Sequence, residues 1–166
     1  LAQHIGYQPA IDLIARVEGM GHRSVVDSTE LTPGQVIIED FRIVERLGAG
    51  GFGIVYRVEA LNTGQHLAMK TIPGDRFENP RERVAFLNEL ASWIGLPSHP
   101  NLAPFRFFKT LSDRGLALFA EFVEGGALSG WIAHGRLSTL ADKLDVAIQV
   151  AHGLDALHHL GWIHSD

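Results

Sequence analysis

Four glycines in six residues, Gly48-Ala49-Gly50-Gly51-Phe52-Gly53, constrain this chain more than any other feature. They spell G-x-G-x-x-G, a string that serves several folds and is decided by what surrounds it. A phosphate-binding P-loop needs Lys-Ser/Thr directly after its last glycine, and Ile54-Val55 stands there instead. A dinucleotide-binding turn needs a helix after the glycines. Asp75 lies near the spacing of a ribose-binding acid, but Ile54, Val55, Tyr56 and Val58 make a strand and defeat that match. What remains is a glycine turn between two strands. It is either a plain tight hairpin or a lid whose backbone N–H groups face the phosphates of a nucleotide.

The flanking pattern supports strands on both sides. Phe41, Ile43 and Leu47 share one face, with Glu45 as the exception. Phe52, Ile54, Tyr56 and Val58 alternate with Gly53, Val55 and Arg57. Leu67, Met69 and Thr71 alternate with Ala68, Lys70 and Ile72. Asn62-Thr63-Gly64 is a hairpin signal between the last two runs. Three antiparallel strands are therefore expected between about 40 and 72. A helix over 80–94 follows, opened by Pro80 and carrying Val84, Leu87, Ala91 and Ile94 at helical spacing. Two strands are expected near 104–110 and 115–121, joined at Asp113-Arg114-Gly115. A short helix near 127–134 and a long one over 138–160 complete the series. Strands and helices segregated in this way predict an α+β fold.

Upstream, Pro9, Ala10, Ile11, Leu13, Ile14 and Val17 predict one helix, ended by Gly19 and Gly21. Residues 21–34 read as a linker. Three segments are expected: helix and linker over 1–34, a sheet-based lobe over 35–120, and a helical part over 121–166.

Composition excludes several classes. Hydrophobic residues make up 46% and charged residues 20%, which suits a folded domain. The net charge is −5 and no basic block stands out, which argues against a nucleic-acid partner. Without cysteine there are no disulfides or thiolate metal sites. The longest charge-free run, Leu90–Phe105, holds three prolines and predicts no membrane helix. No signal peptide is visible, and a cytoplasmic location is the expectation. His152, His158, His159 and His164 lack ligand spacing, so no metal site is assigned to them; Phe105, Phe107 and Phe108 read as strand core.

Lys70 stands on the third strand, in Ala68-Met69-Lys70. A strand lysine is commonly just exposed. To reach phosphates it needs an acid to hold it, and the following helix offers Glu89, with Glu82 as rival. With these features in order, the chain resembles a eukaryotic-type protein kinase over about residues 38–166. Leu47 through Val55 looks like the Gly-rich loop, and Leu67-Ala68-Met69-Lys70 like the V-A-I-K strand. His99-Pro100-Asn101-Leu102 is similar to the H-P-N-I turn after the family's αC helix. Its distance from Glu89 favours Glu89 over Glu82. Glu121 to Leu128 resembles the hinge between lobes, and Leu154 to Asp166 the end of helix αE with His164-Ser165-Asp166 in place of H-R-D.

The resemblance implies a five-stranded antiparallel small lobe with its αC helix, a hinge and the first helices of a large lobe. It implies ATP as the bound nucleotide, Mg²⁺ beside it, and a protein substrate. Gly48, Gly50, Gly51, Phe52 and Gly53 would cover the phosphates. Lys70, held by Glu89, would bind the α- and β-phosphates. Val55 and Ala68 above and Leu128 below would enclose the adenine, its edge bonded to the main chain at Glu121 and Val123. Asp166 would orient the substrate hydroxyl and accept its proton. Trp93 and His164 would pack in the spine linking the lobes. Ala120 would stand at the gatekeeper position before the hinge, the space beside it filled by Phe107 or Phe119, or else left open to bulky ligands.

The implied activity is transfer of the γ-phosphoryl group of ATP to a protein hydroxyl, with Ser/Thr specificity favoured by the hinge and the glycine loop. Ser165 replaces an arginine that meets a phosphorylated activation loop in the family, which implies activation without that contact. The chain reads as a fragment, inactive alone. The family's two metal-holding groups would lie past Asp166. A pseudokinase, or a nucleotide-binding regulatory or scaffold domain, is the alternative; the presence of Lys70, Glu89 and Asp166 argues against it. A dinucleotide-binding domain is remote.

Overall fold

The computed structural model describes residues 30–50, 53–74, 81, 84, 86, 90–91, 93–96, 98–111 and 115–163. The expected helix over 9–17, Gly51, Phe52, Asp75, Glu82, Glu89, the turn residues Asp113 and Arg114, and His164, Ser165 and Asp166 lie outside them. The chain forms two compact units, one of residues 1–96 and 105–122, the other of 97–104 and 123–166.

The first unit is built on one antiparallel sheet. Its strands are β1 (Val36–Ile37), β2 (Phe41–Gly50), β3 (Gly53–Ala60), β4 (His66–Ile72), β5 (Phe105–Leu111) and β6 (Gly115–Glu121), in the spatial order β1-β2-β3-β4-β6-β5. The five expected strands are present, and β1 adds a short sixth at the edge. It pairs with β2 through Val36↔Arg42 and Ile37↔Phe41. The pairing continues upstream, where Gly34 N–H donates to the Ile43 carbonyl and Ile43 N–H to that of Gln35, both at 2.8 Å. The β3–β4 turn closes where Asn62-Thr63-Gly64 places it. Gly64 takes φ +70° and donates its N–H to the Ala60 carbonyl at 2.7 Å.

The sheet carries apolar residues on both faces. On one, Phe41, Ile43, Tyr56, Val58, Met69 and Phe119 are buried together. The Phe119 ring stacks on Phe107 at 4.7 Å and lies 4.6 Å from Phe41. On the other, Ile72, Leu116 and Leu118 meet Phe86 and Leu90 of the helical segment within 81–94, with Trp93, Phe105 and Phe108 packed alongside. β6 lies between β4 and β5 with both faces covered, so Leu116–Ala120 is a continuous apolar run, as fully buried strands require. The same two-sided packing buries Ile72 as well as Leu67 and Met69.

Two expectations are corrected here. Leu47 does not join Phe41 and Ile43, because the β2–β3 register is irregular between Ile43 and Glu45 and again between Arg46 and Gly48. Each irregularity shifts the alternation, and Leu47 is exposed. Residues 31–34 are more than linker. Leu31 is buried in the first cluster, and its N–H donates to the hydroxyl of Tyr56 at 3.1 Å.

The second unit contains α1 (Leu128–Ala133) and α2 (Leu140–His159). α2 starts with a capping box: Asp142 N–H donates to the Thr139 hydroxyl at 3.1 Å, and Thr139 N–H to the Asp142 carboxylate at 2.9 Å. Midway along, Gly153 lies against the turn of residues 99–102. A Cβ there would stand 2.9 Å from the Asn101 carbonyl oxygen. That turn is tied by His99, whose Nδ1 accepts from Asn101 N–H and whose carbonyl accepts from Leu102 N–H.

Candidate nucleotide site

Strand register decides which of the expected residues meet. Gly50 pairs with Gly53 and Gly48 with Val55 across the β2–β3 hairpin. Val55 pairs with Lys70, and Lys70 in turn with Leu118. One row over, Arg57 pairs with Ala68, and Ala68 with Ala120. Paired residues share a face, and so do residues two apart on a strand. Gly48, Val55, Ala68, Lys70 and Ala120 therefore lie on one face of the sheet, beside the glycine turn.

The glycines of the turn have different reasons to be glycine. Gly53 adopts φ +142°, and a Cβ there would fall 1.8 Å from the Thr71 carbonyl oxygen. The close passage of β4 demands glycine at this position whatever the turn covers. At Gly48 a Cβ would meet nothing within 4 Å, so the sheet itself does not require glycine there.

Lys70 is half-buried between Val55 and Leu118. Ala120 is buried, with Ala68 and Phe105 opposite it. Filling by Phe107 or Phe119 is corrected: both belong to the cluster on the other face, with Phe41. The side chain of Glu121 turns to Arg106 on β5, and its main chain stands at the last β4–β6 pair, opposite Leu67. Val123 and Leu128 are exposed residues of the second unit. Gly51, Phe52, Glu89 and Asp166 are outside the described residues.

The sequence reading passed over Arg57. Its Nε donates to His66 Nδ1 at 3.0 Å, its Nη1 to Glu45 Oε1 at 3.3 Å, and its guanidinium lies 4.6 Å from the ring centre of Phe122. Two signals pointed to it: its spacing of two from Val55, and Glu45, the charge that interrupted an apolar face.

Among the described residues, no group of three or more His, Asp or Glu side chains could hold a metal ion. No Mg²⁺ site is assigned among the described residues. No described helix is long and apolar enough to cross a membrane.

A glycine hairpin, a half-buried strand lysine and a small apolar strip thus share one face of a curled antiparallel sheet. The protein kinase domain family matches residues 41–166. The chain belongs to the protein kinase family. It is 36% identical over 126 residues to the leucine-rich repeat receptor protein kinase MSP1 of Oryza sativa subsp. japonica, covering 73% of this chain and 9% of that protein. Mitogen-activated protein kinase kinase kinase 10 of Mus musculus is 33% identical over 76% of this chain and 13% of its own length. Human dual specificity testis-specific protein kinase 1 is 31% identical over 78% of this chain and 20% of its own length. The chain thus spans a fifth or less of these relatives. As a kinase domain it shows the curled small-lobe sheet followed by two helices, in agreement with the α+β expectation.

Proposed function

We propose that this kinase domain binds ATP and passes its γ-phosphoryl group to a protein hydroxyl, serine or threonine by preference. The register that brings Gly48, Val55, Ala68 and Lys70 onto one face carries this reading. In it the glycine hairpin lies over the phosphates, with Gly51 and Phe52 among the residues that cover them. Lys70, steadied by Glu89, neutralises the α- and β-phosphates. Val55, Ala68 and Leu128 hold the adenine between apolar surfaces, and the main chain of Glu121 and Val123 bonds its edge. Asp166 accepts the proton as the substrate oxygen bonds to phosphorus. The bond from phosphorus to the β,γ-bridging oxygen breaks, and ADP leaves. Mg²⁺, when bound, would supply neutralisation of the phosphate charge. Tyrosine acceptance is the second reading, favoured by the dual specificity named for the human relative.

Phosphate transfer from labelled ATP to a general protein acceptor, with identification of the phosphorylated residue type, tests this. In the full-length protein, Lys70→Met should lower the rate by at least about 10²-fold, the scale of removing one contact to developing charge. Asp166→Asn should do the same. Unchanged rates in both variants would overturn the assignment.

A further inference from the structure

Resting on the nucleotide reading above, we infer that Arg57 is a positioning residue for base recognition: it clamps Phe122 and so fixes the main chain that reads adenine. The ladder of β6 ends at Glu121, the last residue paired with β4, through Leu67. Phe122 is the first residue past it. Directly after Val123 and Glu124 the chain turns through Gly125 and Gly126, at φ +102° and +79°. The segment that would contact adenine thus runs from a finished ladder into a permissive glycine pair. A hold on Phe122 sets the direction of its main chain.

Arg57 supplies that hold. Its guanidinium carbon Cζ lies over the Phe122 ring, 4.6 Å from the ring centre, within the range of a cation–π contact. The guanidinium is itself fixed along its edge. Nε donates to His66 Nδ1 on β4, and Nη1 donates to Glu45 on β2. Glu45 also stands opposite Arg57 in register, and Ala68 faces Arg57 from β4. Residues of three strands therefore hold one side chain whose charged head lies over the ring of the first residue after the sheet. A surface ion pair alone would contribute little. A guanidinium fixed by two directed hydrogen bonds and placed over a ring sets geometry, which a flexible lysine ammonium does not do. Arg57 shares its face with Val55 and Ala68, so the clamp lies at the adenine end of the strip.

The test separates base recognition from nucleotide binding in general. ATP and GTP share ribose and triphosphate and differ in the base. Their dissociation constants are measured on the full-length protein for wild type, Arg57→Leu, Phe122→Leu, the double variant and Lys70→Met. Arg57→Leu should weaken ATP by about threefold to tenfold, the size of a partly buried cation–π contact. GTP should change little, so the preference for ATP shrinks. Phe122→Leu should shrink it equally, and the double variant no further, because both act through one contact. Equal loss of both nucleotides, or an unchanged ratio, overturns the role of Arg57. Lys70→Met should weaken both nucleotides alike. If it binds them as wild type does, the nucleotide reading falls and the Arg57 role falls with it.

Discussion

Strand β6 and helix α2 are both rich in apolar residues, yet one hides them and the other shows them. Every residue of β6 from Gly115 to Ala120 is buried. In the twenty residues of α2, only Gly153 and Leu157 are. Leu140, Leu144 and Ile148, spaced by four along one helix face, are more than half exposed. β6 exists because its neighbours cover both of its faces. α2 is specified from its own sequence, through a capping box at Thr139 and Asp142 and a run of good helix formers. The two units therefore differ in where their order comes from: long-range burial in the sheet, local signals in the helix.

The largest expected effect separates these two sources. Phe119→Ala removes a ring enclosed by Phe41 and Phe107 and should cost about 3–5 kcal/mol. Ile148→Ala, on the exposed face of α2, should change stability by less than about 0.5 kcal/mol. Denaturant unfolding of both variants checks this. A loss at Ile148 comparable to that at Phe119 would break the contrast, because it would mean that the α2 face is covered in solution.

A second contrast lies within the sheet, between two glycines of one motif. Gly53→Ala forces a side chain onto a left-handed backbone and into the Thr71 carbonyl. It should destabilise the first unit by at least about 2 kcal/mol, the sum of conformational strain and a displaced neighbour. Gly48→Ala meets open space and should leave stability nearly unchanged. If Gly48 matters, it matters to a ligand, so nucleotide affinity is the second measurement. Thermal unfolding of both variants decides the first part. Equal destabilisation would show that the hairpin has no packing-imposed glycine.

These contrasts also mark what the sequence could reveal. Local chemistry was legible. Asn62-Thr63-Gly64 placed a turn, alternation placed β3 and β4, and Gly48–Gly53 followed by a strand excluded two nucleotide folds. Five motifs in order led to the family. What was not legible depended on partners far along the chain. Leu31 sits beside Pro33 and Gly34 and looks like loop; its burial depends on Tyr56, 25 residues later. Leu47 fits period two until irregular register displaces it, and periodicity carries no sign of where a strand slips. Arg57 looks like an ordinary outward charge, because His66, Glu45 and Phe122 come from three separate places. Phe119 was one of two residues offered to fill the space beside Ala120, although alternation alone puts Phe119 on the opposite face.

The smallest expected effect concerns the local source of order in α2, and pH exposes it. The Asp142 carboxyl is held below its ordinary value of 3.8, first by the Thr139 backbone N–H and then by the Thr139 hydroxyl. A carboxyl whose acidity is increased by folding favours the folded form only while ionised. Its contribution is full above the unfolded value and disappears as pH falls through the folded one. Protonation turns the carboxylate from a charged acceptor into a neutral one at the first turn, where the helix dipole favours negative charge. Helicity followed by circular dichroism should therefore fall on acidification below 3.8 more in the wild type than in Asp142→Asn. Asparagine still accepts from the Thr139 N–H but has no charge to lose, so the two proteins should converge at the acid end. Because Asp142 lies at the protein surface, the difference is small and best seen at low salt, where screening is weakest. Parallel acid profiles for the two proteins would show that the capping box holds α2 by hydrogen bonding alone, without help from charge.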